Sequence, residues 1–305
     1  MRLRIDRRAL RFIIEYGALR LGAALIRLMP LDLATHISAK AWRLLAPRIS
    51  PRRHRRALDN LRIAFPHASD QERYTIRAAH WENLGRVMAE TIQLDRIVKD
   101  PWRFEIVDDA LLSRYASKLG PAVGVSLHMG NWELAVWPFV VAKANPAALY
   151  RTVNNPYIDR YLRERRRSVY PGGMFGRGVV DGDHGEEHRT ARMIADFVRR
   201  GGRLGIVCDQ YYSRGVPVPF FGKSARIQPI AAIIARRVGA RIWMARCVRV
   251  STQSRFRIEI RELKVPRSAN PAEDVRWSQA AMMRQFERWI RDTPEQWMWS
   301  NRVWS

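Results

Sequence analysis

Ser126-Leu127-His128-Met129-Gly130-Asn131-Trp132-Glu133 is the stretch around which this chain is organised. The apolar run 122–127 leads into it and reads as a short buried strand. Gly130 and Asn131 supply turn chemistry, and Asn131 can cap a helix over 131–143. His128 then falls at the carboxyl end of a strand, where open α/β sheets place their ligands. Glu133 falls in the first helical turn, from which its side chain can reach back toward the imidazole. A neutral imidazole can remove a proton from an alcohol near pH 7. A carboxylate on the other ring nitrogen fixes the tautomer and stabilises the imidazolium. The spacing therefore suits a base and its orienting group. The same residues would also suit a plain helix-capping turn, since short motifs recur by chance.

On either side of this stretch the pattern differs. Residues 1–100 read as a helical N-terminal region, with helices over 8–28, 33–45, 51–64 and 70–93. Trp81, Asn83, Leu84 and Met88 read as packing residues of the last of these. From about residue 103 strands and helices alternate. Strands are expected over 104–107, 122–128, 148–153, 203–209, 240–250 and 255–265. Helices are expected over 109–119, 156–169, 190–200, 229–238 and 271–291. This alternation predicts an α/β domain over 101–305, a mixed, largely parallel sheet with helices on both faces.

The 305 residues are enough for a large core, and 47% are hydrophobic. The formal net charge is +25, almost all of the excess being arginine. Such a charge points to an anionic partner: phospholipid headgroups, a phosphorylated substrate, an acidic protein or nucleic acid. No nucleic-acid motif accompanies it. The two cysteines, Cys208 and Cys247, lie in apolar runs without metal-ligand spacing, which argues against a disulfide framework. No secretory signal and no membrane span is evident. The segment 9–31 is the best membrane-associating candidate, but Glu15, Arg20 and Arg27 interrupt it and do not share one side of a helical wheel.

Three further stretches carry chemistry. Tyr150-Arg151-Thr152-Val153-Asn154-Asn155-Pro156 ends one strand and opens a helix, and Arg151 there could hold an anion or polarise a carbonyl. Cys208-Asp209-Gln210 ends another strand. Val216–Lys223 reads as a Pro-rich aromatic loop, suited to the wall of an apolar pocket or to rigid packing. Pro294-Glu295-Gln296-Trp297-Met298-Trp299 reads as structural, with the option of closing the site over the sheet.

Taken together, these motifs resemble the bacterial lipid A biosynthesis acyltransferases, the late enzymes that add secondary acyl chains. The match rests on His128-Met-Gly-Asn-Trp-Glu133, Tyr150-Arg-Thr-Val-Asn-Asn-Pro156, Asp209-Gln210, Val218-Pro-Phe-Phe-Gly222 and Pro294–Trp299, in that order over residues 80–304. Thr152 stands where that family usually has proline. The resemblance implies a glycerolipid-acyltransferase-like fold and an HxxxxE pair, with His128 as general base and Glu133 orienting it. It implies Arg151, Asn154, Asp209 and Gln210 as substrate-binding or secondary site residues. It implies an acyl-carrier-protein thioester as donor, a phosphorylated glycolipid as acceptor, and no metal or redox cofactor. It places the work at the cytoplasmic face of the inner membrane, where the interrupted segment 9–31 favours peripheral attachment. Other readings are acylation of another membrane glycolipid, such as a phosphatidylinositol mannoside, and a non-enzymatic basic binder of membranes or nucleic acid.

Overall fold

A computed structural model describes residues 7–107, 120–177 and 184–304. Four helices open it: α1 (Arg7–Leu28), α2 (Leu31–Ile49), α3 (Pro51–Ala64) and α4 (Asp70–Ile92). The start of α4 is fixed by a capping box. Glu72 N–H donates to the Ser69 hydroxyl, and the Glu72 carboxylate accepts from Ser69 N–H. After a short α5 (Leu94–Ile97) the chain enters β1 (Phe104–Val107). The helix expected over 109–119 lies outside the described residues.

The remaining strands are β2 (Ala122–Gly130), β3 (Ala147–Arg151), β4 (Met174–Arg177), β5 (Arg203–Val207), β6 (Tyr211–Phe220), β7 (Lys223–Ile227), β8 (Arg241–Arg249) and β9 (Phe256–Leu263). Between them run α6 (Trp137–Val141), α7 (Pro156–Arg166), α8 (His184–Arg199), α9 (Ile230–Val238) and α10 (Pro271–Asp292). Seven strands form one mixed sheet in the order β1-β9-β8-β2-β5-β3-β4. Only the β8–β9 pairing is antiparallel. The fold is therefore α/β, as the alternation predicts.

Strand β2 is buried on both faces, as a central parallel strand requires. Val123, Val125 and Leu127 join the cluster built with Ile194 of α8, Ala231 of α9 and Phe286 of α10. Ala122, from the opposite pleat, joins Leu134, Val136 and Phe139. The sheet is thus held between two apolar layers, and its carboxyl edge stays open for chemistry.

Three local expectations change. The single helix expected over 131–143 is a 3-10 turn, Trp132–Leu134, followed by α6. Pro138 has no N–H to continue a helix from the turn but suits the opening of a new one. The stretch 216–223 is not a loop: it pairs in an antiparallel ribbon of β6 and β7. Phe221 (φ 50°) and Gly222 (φ 72°) make its two-residue turn. Its Phe220 and Phe221 pack against Trp297, Trp299 and Trp304 rather than lining a cavity at His128. The short strand β4 was not expected; it lies at the sheet's edge.

Helix α1 departs from its helical-wheel reading in a way that bears on function. Glu15 accepts from Arg11 and from the Asn155 side chain, and Arg27 pairs with Asp95. Arg20 lies over the rings of Tyr16 and Tyr161. Leu10, Ile13, Ile14, Gly17, Ala18, Leu21, Ala24, Leu25 and Leu28 are exposed and make an outward apolar stripe, with the exposed Arg11 and Arg20 flanking it. Ile14 is 62% exposed and Leu28 82%. The wheel misleads because α1 is apolar on its inner face too, where Ala23 packs with Tyr16, Leu19 and Ile26. On α2, Leu33, Ile37, Leu44, Leu45 and Ile49 are also exposed. Among the described residues no helix is long and apolar enough to cross a membrane.

Candidate active site

The carboxyl ends of β2, β5 and β3 lie side by side. They carry His128, Asp209 and Arg151 to one edge of the sheet. Strand β2 slips its register against β8 between Ser126 and Gly130, an irregularity of the kind that re-aims side chains beside active sites. The turn that follows demands glycine. Gly130 has φ 55°, and a Cβ there would lie 1.9 Å from the Cys247 carbonyl oxygen.

The imidazole is held by a buried carboxylate. Asp209 Oδ1 lies 2.6 Å from His128 Nδ1. The other oxygen, Oδ2, accepts from the His128 backbone N–H at 2.8 Å and from the Trp297 indole at 2.7 Å. Asp209 is only 2% exposed. Burial alone would raise its carboxyl, but the His128 charge and the three hydrogen bonds outweigh burial and hold it below the ordinary value. His128 Nε2 is left toward the cavity, with the Gln210 amide 3.2 Å away and Trp132 set edge-on against the ring at 5.2 Å.

Glu133 is placed differently from what its spacing suggests. Its carboxylate does not bond the imidazole. It is gripped in fork fashion by Arg166 of α7, Nε at 2.9 Å and Nη2 at 2.5 Å. Glu133 is 4% exposed. A carboxylate so buried needs a cation, and Asp209 already occupies Nδ1 of the histidine. Asn131 fixes the turn between the two groups. Its side-chain oxygen accepts from Glu133 N–H at 3.2 Å, and its amide donates to Glu90 at 2.8 Å. Glu90, wholly buried, also pairs with Arg249 at 2.6 Å, and Arg249 donates to Asn83. The Asn83 amide in turn donates to the Gly130 carbonyl at 3.1 Å. Asn83 is thus more than a packing residue, whereas Trp81 and Leu84 do pack and Met88 is exposed.

The remaining expected site residues divide. Arg151 is exposed and lines the same cavity as His128, as does Gln210. Asn154 is exposed and outside that lining. Its neighbour Asn155 is buried and structural: it caps α7 and donates to the Phe12 carbonyl and Glu15 of α1. The cavity holds about 350 Å³. Its lining is partly polar, with His128, Glu133, Arg166, Arg151 and Gln210, and partly apolar, with Val136, Phe139, Met174, Trp243 and Ile260. Among the described residues no three His, Cys, Asp or Glu side chains gather as a metal site.

The sequence reading missed Arg166 and Trp297. Arg166 stands among Arg163, Arg165 and Arg167, where the sequence offers only a basic cluster for an anionic partner. Within that cluster only Arg163 and Arg167 are exposed, while Arg165 lies 3.9 Å from Asp95. Trp297 sits in the motif that was read as structural with an option to close the site. Met298 N–H donates to the His128 carbonyl, which brings the Trp297 indole onto Asp209.

Fold and site together are those of an α/β enzyme whose histidine–aspartate pair faces an apolar cavity. The chain matches the family of bacterial lipid A biosynthesis acyltransferases over residues 5–305, and it belongs to that family. It is similar to the lipid A biosynthesis palmitoleoyltransferase of Escherichia coli (strain K12), 26% identical over 282 residues that cover 88% of this chain and 83% of the relative. It is equally similar, at 26% identity over the same coverage, to the lipid A biosynthesis acyltransferase of Shigella flexneri. The chain is accordingly an acyltransferase, which sets aside the reading as a non-enzymatic binder.

Proposed function

We propose that this acyltransferase moves a fatty acyl chain from an acyl-carrier-protein thioester to a hydroxyl of a phosphorylated lipid A precursor. The observation that carries the chemistry is Asp209 on His128 Nδ1, which leaves Nε2 toward the cavity as a base. His128 Nε2 takes the proton of the acceptor hydroxyl as the oxygen attacks the thioester carbonyl. Asp209 stabilises the imidazolium and holds the Nδ1 proton. The tetrahedral intermediate collapses to an ester, the C–S bond breaks, and the imidazolium returns its proton to the leaving thiolate. Glu133 and Arg166 set the wall of the cavity beside the base. The apolar part of the lining, with Val136 and Phe139, suits an acyl chain.

The test is an assay of purified protein with acyl-loaded carrier protein and a bis-phosphorylated disaccharide bearing 3-hydroxyacyl chains. Mass spectrometry should find one added acyl chain. No product with any hydroxylated lipid would contradict the proposal. In the same assay Arg151→Lys should raise the acceptor KM several-fold, since a point charge does not replace a planar fork on phosphate. Unchanged KM would remove Arg151 from substrate binding.

Attachment to the inner membrane is proposed to be peripheral, through α1 lying in the interface. Its outward apolar stripe can enter the acyl boundary while Arg7 and Arg8 stay at the headgroups. The exposed Arg52, Arg53 and Arg55 of α3 suit the same anionic surface. Ile14→Glu with Leu21→Glu should release the protein from floated vesicles of anionic phospholipid. Retention of the double variant on the vesicles would contradict this attachment.

A further inference from the structure

Two apolar recesses meet at the catalytic edge, and the proposed function needs only one for the donor. The cavity already described lies on the α6–α7 side of the sheet and is walled by buried side chains such as Phe139, Trp243 and Ile260. A second recess, of about 320 Å³, lies on the α8–α9 side. Ile194, Ile230, Ile233 and Tyr212 line it. The two share Leu149 of β3 and Gln228 as lining residues, so they adjoin there. Leu149 packs toward the α8–α9 layer, whereas its neighbour Ala148 packs toward the other. His128 lines the first of the two recesses.

Both recesses reach solvent, but Ile233 on the wall of the second is 41% exposed, whereas Phe139, Trp243 and Ile260 of the first are buried. That difference decides which chain each can take. A donor chain arrives alone on a flexible thioester arm and can thread into a cavity with buried walls. A chain fixed to a glycolipid cannot be threaded from its free end without drawing in the sugar. It can, however, be laid sideways into an open groove. Transfer also needs the donor carbonyl and the acceptor oxygen to meet beside one base, and two recesses that adjoin at Leu149 and Gln228 suit that need.

We propose that the groove between α8 and α9 binds an acyl chain of the acceptor and delivers its hydroxyl to His128. This deepens the proposed function and rests on it. The test uses Ile233→Glu, which places a charge in the groove, and Ile233→Trp, which fills it at a half-exposed position. With the 3-hydroxyacylated, bis-phosphorylated disaccharide as acceptor, both variants should raise the acceptor KM about tenfold or more. Ile233→Leu should stay near wild type. The KM for acyl-loaded carrier protein should be unchanged in all three, as should hydrolysis of that thioester by water without acceptor. An unchanged acceptor KM in both variants, or a raised donor KM instead, would overturn the groove assignment alone. A wild-type protein inactive on every acylated acceptor would overturn the proposed function and the groove with it.

Discussion

Asp209→Asn is expected to lower the turnover of acyl transfer by about 10³–10⁴-fold while leaving the fold intact. The reason is the order of the hydrogen bonds. Asp209 Oδ2 accepts from two N–H groups that cannot reverse, the His128 amide and the Trp297 indole. In the variant those donors hold the Asn carbonyl oxygen in the place of Oδ2. The Asn NH2 then faces His128 Nδ1, 2.6 Å from where Oδ1 stood, and donates to it. That forces the proton onto Nε2, and the ring can no longer accept a proton from the acceptor hydroxyl. His128→Ala should cost a similar factor. The double variant should be little worse than either single one, because the two residues act as a unit. Fully additive losses would contradict the pairing. The linkage has a definite sign. Asp209 is held below its ordinary value, so the stability it contributes is present above the unfolded carboxyl's pKa, about 3.9, and is lost as pH falls through the depressed folded value. Its charge is therefore constant across neutral pH.

Arg166→Ala is expected to destabilise the protein by about 3–5 kcal/mol, because it strands a buried carboxylate. Glu133 has Arg166 on both of its oxygens. Burial would lower the Arg166 pKa, but the Glu133 charge and hydrogen bonds outweigh it and raise it, so the guanidinium stays charged. Glu133→Ala should cost a similar amount and also impair transfer, since the bare guanidinium would then point into the cavity beside His128. Removing both partners should cost less than the sum of the singles, by more than 1 kcal/mol in a denaturant cycle. Simple additivity would show that the pair carries no coupling. The cycle also separates the two carboxylates. Glu133 should couple to Arg166 in stability, and Asp209 to His128 in turnover.

Element positions were legible in the sequence because their signals are local. The turn and cap residues Gly130 and Asn131 fall where β2 ends and the next helical turn begins. The alternation after residue 103 predicted a largely parallel sheet, and the sheet is one. The edge that carries His128, Asp209 and Arg151 was legible too, because strand ends collect there. What was not legible is which carboxylate meets which cation. His128 and Glu133 are five positions apart, and spacing favours a local partner. The actual partners, Asp209 and Arg166, are separated from them by 81 and 33 residues. Burial decides such pairings, and burial is set only when β2 is flanked by β5 and the following turn is covered by α7. The outward face of α1 was hidden for a related reason. Glu15 and Arg27 count as charges on a wheel, yet each is met by a group from elsewhere in the chain.

The central claim is that Asp209, not Glu133, sets the tautomer of His128. Nitrogen-15 NMR of the protein with labelled histidine, assigned by comparison with His128→Ala, tests it most directly. At a pH where the ring is neutral, the account predicts a proton on Nδ1 and a bare Nε2. It predicts the same tautomer in Glu133→Gln and its loss in Asp209→Asn. A proton on Nε2 in the wild type, or a tautomer that changes with Glu133 and not with Asp209, would contradict it.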